Sequence, residues 1–339
     1  MQRFSVKNAR DDLARLVKGV RGEPVVNLLD EAGFGQLLDG IRLTSMDVGA
    51  RGGFMSDLLP IARCVDMIGF EPDPDELERL NKSPQETPCA SMTYLHYALG
   101  RTKATMPLYI YSHTGNSSLY EADVELADAF GRAKNYELRQ QVDVQVESLD
   151  VVIETEGISP PDHLKMDVQG WELEILKGAE SALDSVLAAR LEVEFMALYR
   201  DQPLFADIDA VMQARGFAFM GFPEMHAWRR TTARKWPRRT RGPYPYSRGQ
   251  LAHGDALYLR WPEDMPEGSP DEIETKVRLG LLACAYEYID HAVAAMTTPA
   301  VAAYGRDTWG IDFADSLSRL SKRLAWTPTL VHRIGRGQG

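Results

Sequence analysis

Cysteine is scarce in this 339-residue chain: Cys64, Cys89 and Cys284 stand alone, with no CxxC pair. That excludes a disulfide frame and reads as reduced thiols. Long apolar runs are missing too, so no segment is expected to cross a bilayer. The opening residues, Met1 to Arg10, contain no apolar core of the kind a signal peptide needs, and a cytoplasmic protein is expected. Positive charge is in deficit. Lys and Arg number 38 against 49 Asp and Glu, a formal charge of -11, which argues against general affinity for a nucleic-acid backbone. Seven histidines are scattered without a metal-binding spacing, and no G-x-S-x-G nucleophile turn occurs.

What is present is ordinary for a soluble globular chain: 44% hydrophobic and 26% charged residues. The length suits one large domain with an addition. Residues 1–40 read as a helical lead-in. Strand-like and helix-like segments then alternate: strands over 41–48, 64–70, 93–99, 163–168 and 190–196, with helical stretches over 54–62, 74–80, 171–177 and 205–215. Such alternation predicts an α/β fold with a mostly parallel central sheet. Residues 104–111 and 141–147 break the pattern as extra strands. Strands over 217–222 and 256–261 are joined by a long connection without helical period, so the last strand is expected to return antiparallel. The domain is taken as 41–262. Ser269-Pro270-Asp271-Glu272 has the form of a capping box, and 263–339 reads as a helical C-terminal extension with a Gly/Arg tail. Its apolar stripe suits packing on its own domain, a homo-oligomer or a partner.

Asp47-Val48-Gly49-Ala50-Arg51-Gly52-Gly53 falls where the first strand turns into a helix. Glycines there admit a ligand close to the backbone, and a helix start offers free N–H groups. The spacing departs from the G-x-G-x-x-G of dinucleotide binders. A carboxylate at Asp47 would repel a pyrophosphate but suit the ammonium of a methionine moiety; a plain structural turn is the alternative. Glu71 ends the second strand, outside whose carboxyl end ligands lie in open α/β sheets. It could accept hydrogen bonds from ribose hydroxyls, or it could be a surface acid before Pro72. Asp73 suits an N-cap.

Asp47-Val48-Gly49-Ala50, Gly53, Phe70-Glu71-Pro72-Asp73, Asn116-Ser117-Ser118-Leu119, Leu164 to Gly170, Glu172 and Leu176-Lys177-Gly178-Ala179 occur in order. As a set they resemble the FkbM family of methyltransferases over roughly residues 41–222. The resemblance implies a Rossmann-like class I methyltransferase fold, S-adenosylmethionine as cofactor, and O-methylation of sugar or natural-product hydroxyls. It implies cofactor contacts at Asp47, Gly49, Gly53 and Glu71, to which neighbouring Ala50, Arg51 and Ser118 are added. Glu194 falls where that family carries an acid. Arg51 stands where the family often has Asn, and Gln169 where it often has Glu. Arg51 could reach the methionine carboxylate or sit solvated.

Removing a proton from an acceptor hydroxyl calls for a base or a metal. Lys165, Asp167 and Gln169 share a face of the fourth parallel strand by alternation, and Asp167 stands at its carboxyl end. Asp167 is the first catalytic candidate; pairing with Lys165 is its structural alternative. Glu194 and His113 are the next two. Asp167 with Glu194 could offer oxygen ligands to Mg²⁺. Glu172 suits its helix N-terminus, His96 a core position, and His163 the wrong end of its strand for chemistry.

The segment 228–248 opposes the overall charge, with Arg229, Arg230, Trp236 and Arg238 among its arginines and aromatics. Arginines suit phosphate or carboxylate and aromatic faces suit sugar rings, so an anionic, sugar-containing substrate is expected there. Rival readings are a binding protein without turnover that holds a polyanion through this loop, and an NAD-type oxidoreductase.

Overall fold

The structure, a computed structural model, describes residues 27–52, 56–82, 89–231 and 248–326. Ten strands lie among them: β1 (Leu43–Val48), β2 (Val65–Phe70), β3 (Ser91–Leu95), β4 (Ala98–Gly100), β5 (Ala104–Tyr111), β6 (Leu138–Ser148), β7 (His163–Met166), β8 (Ala188–Glu194), β9 (Phe217–Trp228) and β10 (Gln250–Arg260). Seven form the central sheet in the order β3-β2-β1-β7-β8-β10-β9. β3, β2, β1, β7 and β8 are mutually parallel. β10 runs antiparallel to both of its neighbours, as the long connection predicted. β1 and β8 are almost wholly buried, as strands covered on both faces are. Strand order reverses between β1 and β7, which opens a crevice at their carboxyl ends.

β4, β6 and β5 make a separate three-stranded sheet beside that crevice. The expected strand over 93–99 is therefore two. The chain turns after Leu95, where the Tyr97 N–H donates to the Leu95 carbonyl at 3.1 Å, and Ala98–Gly100 joins β6 instead. His96 consequently sits exposed in the turn, its Nε2 2.9 Å from the Pro72 carbonyl, and is no core residue. The expected helix over 54–62 is, from Ser56 to Cys64, a 3-10 helix. Pro60 inside it lacks the N–H that an α-helical ladder needs. The helix Leu149–Glu156, unanticipated, starts on Ser148 and stops at left-handed Gly157.

Among the described residues four α-helices follow β10: Pro270–Ala285, Ile289–Met296, Pro299–Trp309 and Phe313–Trp326. Ser269 accepts from the Glu272 N–H while Glu272 accepts from the Ser269 N–H, the expected capping box. Val277, Leu281, Leu317 and Leu320 share one buried cluster with Leu29, Phe34, Leu43, Val65, Leu187 and Leu259. Leu43, Val65 and Leu187 mark the amino ends of the parallel strands, so the helices sit at the edge of the sheet opposite the crevice. Their apolar stripe is buried within the chain itself.

Candidate active site

The crevice is a cleft of about 690 Å³ lined by the ends of β1, β2 and β7, the turn 114–119 and the small sheet. Gly49 turns the chain after β1 at φ 82°. A Cβ there would lie 2.1 Å from the Asp167 carbonyl oxygen, so the crossing of β1 and β7 demands glycine whatever the ligand. Glu71 is 1% exposed and lines the cleft. Its Oε1 accepts from the Asp73 N–H at 2.9 Å and its Oε2 from Arg51 Nε at 3.2 Å. Burial pushes the Glu71 carboxyl up, and Arg51 opposes this. Arg51 also donates to the Thr114 carbonyl at 2.6 Å and to Asp73 at 3.0 Å. One guanidinium thus ties the turn after β1, the acid after β2 and the 114–118 turn into one wall. Ser118 donates to the Gln169 carbonyl at 2.8 Å and closes the opposite side. Phe70, Leu99, Leu108, Val144 and Ile175 supply apolar surface.

Asp167 reaches the cleft with its carboxylate exposed. Gln169 Nε2 donates to its Oδ1 at 2.9 Å and to Glu192 Oε2 at 2.6 Å. Desolvation works to raise the Asp167 carboxyl, but the Lys165 ammonium and the hydrogen bonds from Glu192 and Gln169 outweigh it and hold it below the usual carboxylate range. Gln169 adopts φ 60°, rare for a residue with a Cβ. Its carbonyl serves Ser118, and Tyr199 Oη lies 3.2 Å from its Oε1. An amide suits this position because it donates to two acids at once, where a carboxylate would add a third.

A family model described as the Methyltransferase FkbM domain matches residues 47–219, half of the chain. The chain belongs to the FkbM methyltransferase family. Its class is that of the S-adenosylmethionine-dependent methyltransferases, which sets aside the oxidoreductase alternative. Hexuronic acid methyltransferase AglP of Haloferax volcanii is 26% identical to this FkbM chain over 193 residues, 56% of the chain and 70% of that protein. Among solved structures, precorrin-6y C5,15-methyltransferase from Geobacter metallireducens GS-15 has 9% identity and TM-score 0.32, covering 68% of this chain and 88% of that one. Magnesium protoporphyrin IX methyltransferase from Synechocystis PCC 6803 has 11% identity and TM-score 0.31, covering 76% and 100%. At that distance neither bears on this FkbM chain beyond the resemblance itself.

Several predicted site residues lie apart from the cleft of this FkbM domain. Asp47 is buried behind it, with Lys165 Nζ 2.9 Å from Oδ1, so this carboxylate answers a cation of the chain itself. Burial raises its carboxyl, and Lys165 opposes this. Ala50 is fully buried against Gly69 of β2, where a larger side chain has no room. His113 is exposed and outside the lining, although Thr114 and Gly115 of its turn are in it. Glu194, 2% exposed, ends β8 with Oε2 buried and without a hydrogen-bond partner. Gly53, Trp236 and Arg238 lie outside the described residues. Arg229 and Arg230 are exposed at the stem of the β9–β10 hairpin, Arg230 5.2 Å above the Phe130 ring. The Thr231 N–H donates to the Ala129 carbonyl at 2.8 Å and pins that stem to the helix Val124–Ala129. Among the described residues no group of three or more His, Cys, Asp or Glu side chains is placed to hold a metal ion.

Sequence reasoning missed Glu192 and His253. Burial and then the charge of Asp167 push the Glu192 carboxyl well up. Glu192 Oε1 lies 3.2 Å from His253 Nδ1, and the His253 ring stacks on His226 at 4.6 Å. The signal for Glu192 was available: Arg190-Leu191-Glu192-Val193-Glu194 sets three charges on one face of a buried strand. Glu172 stands in the first turn of its helix, as expected. It is fully buried and accepts from the Val168 N–H at 2.8 Å, and burial pushes it up to about 7.

Proposed function

We propose that this chain methylates a hydroxyl of an acidic, sugar-containing acceptor, with Asp167 as the base. The observation that carries the reading is the Asp167 carboxylate, exposed in the cleft and held ionised by Lys165 and Gln169. The cleft residues fit S-adenosylmethionine. Each Glu71 oxygen takes one hydrogen bond from the protein and keeps a lone pair for a ribose hydroxyl. Gly49 leaves the turn open, and the apolar wall suits an adenine ring. When bound, the cofactor supplies a methyl group on a positively charged sulfur. Arg51 and Ser118 hold the walls, and Asp167 accepts the hydroxyl proton in a site arranged for close approach. A sugar acceptor accords with the hexuronic acid methyltransferase relative. The acid group of such an acceptor would meet Arg229 and Arg230 at the hairpin stem.

The test is calorimetric titration with S-adenosylmethionine, followed by transfer of a labelled methyl group to hexuronic acid glycosides. Saturable binding weakened by Glu71→Ala, and transfer abolished by Asp167→Asn, are the expected results. Full transfer by Asp167→Asn would remove Asp167 from the role of base.

A further inference from the structure

Behind Asp167 the polar groups continue in a line that leads out of the cleft on its far side. Asp167 and Glu192 are clamped side by side by the Gln169 amide, whose Nε2 donates to an oxygen of each at 2.9 and 2.6 Å. The other oxygen of Glu192 faces His253 Nδ1 at 3.2 Å. The Glu192 side chain is 10% exposed and that of His253 25%, so the line begins dry and ends wet. Beyond it His226 stacks on His253 at an interplanar angle of 19°, and Glu224 lies 3.0 Å from His226 Nε2.

We propose that Glu192 and His253 form a proton exit that carries the acceptor's proton from Asp167 to solvent at the β9–β10 hairpin. The inference rests on the reading of Asp167 as base. The acceptor oxygen gains one bond to carbon and gives up one proton, which Asp167 takes. Glu192 gives its own proton to Nδ1 of His253 and receives the one on Asp167. His253 sheds its Nε2 proton to water and resets by exchange with solvent, so one proton leaves per methylation and every group returns to its starting state.

The surroundings favour this direction. Around Glu192 stand Asp167 at the end of β7, Glu194 on β8 and Glu172 on its helix, three acids that with burial push its carboxyl well up and so favour its protonated form. Tyr136 and Tyr199 flank the same acids, their hydroxyls pushed up by burial. Around His253 stand His226 and Glu224 of β9, Asp167, and Arg132. Burial and then His226 hold His253 down to about 4, so at neutral pH it is the uncharged imidazole with a single ring proton. A proton taken from Asp167 and held there would stop the next turnover. A second carboxyl held beside the first by the same amide, backed by a half-wet imidazole, removes that obstacle.

The test uses the full chain labelled with ¹⁵N-histidine. At pH 7 the exit requires His253 with Nδ1 free of hydrogen and Nε2 carrying one, because Nδ1 must accept from Glu192. Nitrogen NMR showing Nδ1–H instead would overturn the proposal whatever the enzyme methylates. Glu192→Gln keeps both hydrogen bonds and the tautomer but cannot pass a proton. Its kcat should fall about tenfold or more with KM unchanged, as should that of His253→Ala. Added imidazole should restore His253→Ala, which a structural role would not permit, and an unchanged kcat in either variant would also overturn the exit. Absence of methyl transfer by the wild type would count against the proposed function and leave the tautomer result to decide the exit by itself.

Discussion

The Lys165 ammonium sits 2.9 Å from Asp47 Oδ1, and the same ammonium holds the Asp167 carboxylate ionised. One buried cation thereby serves an acid behind the cleft and an acid within it. Lys165→Met should leave Asp47 buried without a partner and cost about 3–5 kcal/mol, read by chemical denaturation. The acid side of the pH profile for methyl transfer should move upward, because Asp167 would lose the charge that lowers its carboxyl.

Arg51 joins Glu71, Asp73 and the Thr114 carbonyl. Arg51→Ala should free the 114–118 turn and weaken S-adenosylmethionine binding about tenfold, equivalent to ~1.4 kcal/mol. Calorimetry measures this directly. Arg51→Lys should recover little, since an ammonium cannot reach three acceptors in one plane.

Glu172 carries a pH signature in stability. Its carboxyl rises from 4.5 to about 7 on folding, chiefly through burial. The folded chain therefore binds more protons than the unfolded chain between those values, and stability falls as pH rises through that window. The full loss above it is about 3 kcal/mol. Glu172→Gln keeps the acceptor for the Val168 N–H and should remove that slope. Its melting temperature should exceed that of the wild type at pH 8 by more than at pH 5.

His163 acts with the opposite sign. Buried between Ser45 and Tyr286, with ring nitrogens 2.8 Å from each hydroxyl, it is held down to about 3 by desolvation and then by Arg190. It contributes stability above the unfolded value of 6.5 that is lost as pH falls towards 3. His163→Gln should be less stable at pH 7 yet show a shallower loss of stability between pH 6 and 4, measured by urea denaturation.

The strand-ending acids were legible in the sequence because position along a strand is a local property. Glu71 and Asp167 each follow an apolar run, and both open onto the cleft. The partner of Asp47 was not legible: Lys165 comes beside it only through the pairing of β1 with β7. From the sequence, Asp47 suits the ammonium of a methionine moiety or a plain structural turn, and the Lys165 partner adds a cation of the chain itself. The break at His96 was hidden because two short apolar runs joined by two residues have the period of one strand. His253 was hidden for a different reason. Its value comes from reaching Glu192 diagonally across the β8–β10 ladder, where its register partner is Glu194, and the register of an antiparallel return after so long a connection is set by tertiary packing.

The two ends of the described chain are latched to each other. Phe34 stacks on Phe313 at 6.4 Å, Arg319 donates to the Ala32 carbonyl at 3.1 Å, and Arg323 pairs with Glu31. Trimming the chain after residue 262 to obtain a minimal catalytic unit would strip the cover from Leu29, Phe34 and Leu43, and leave a greasy scar where a clasp had been. The cleft lies at the other end of the sheet, so the ends of the described chain are fastened together at a distance from it.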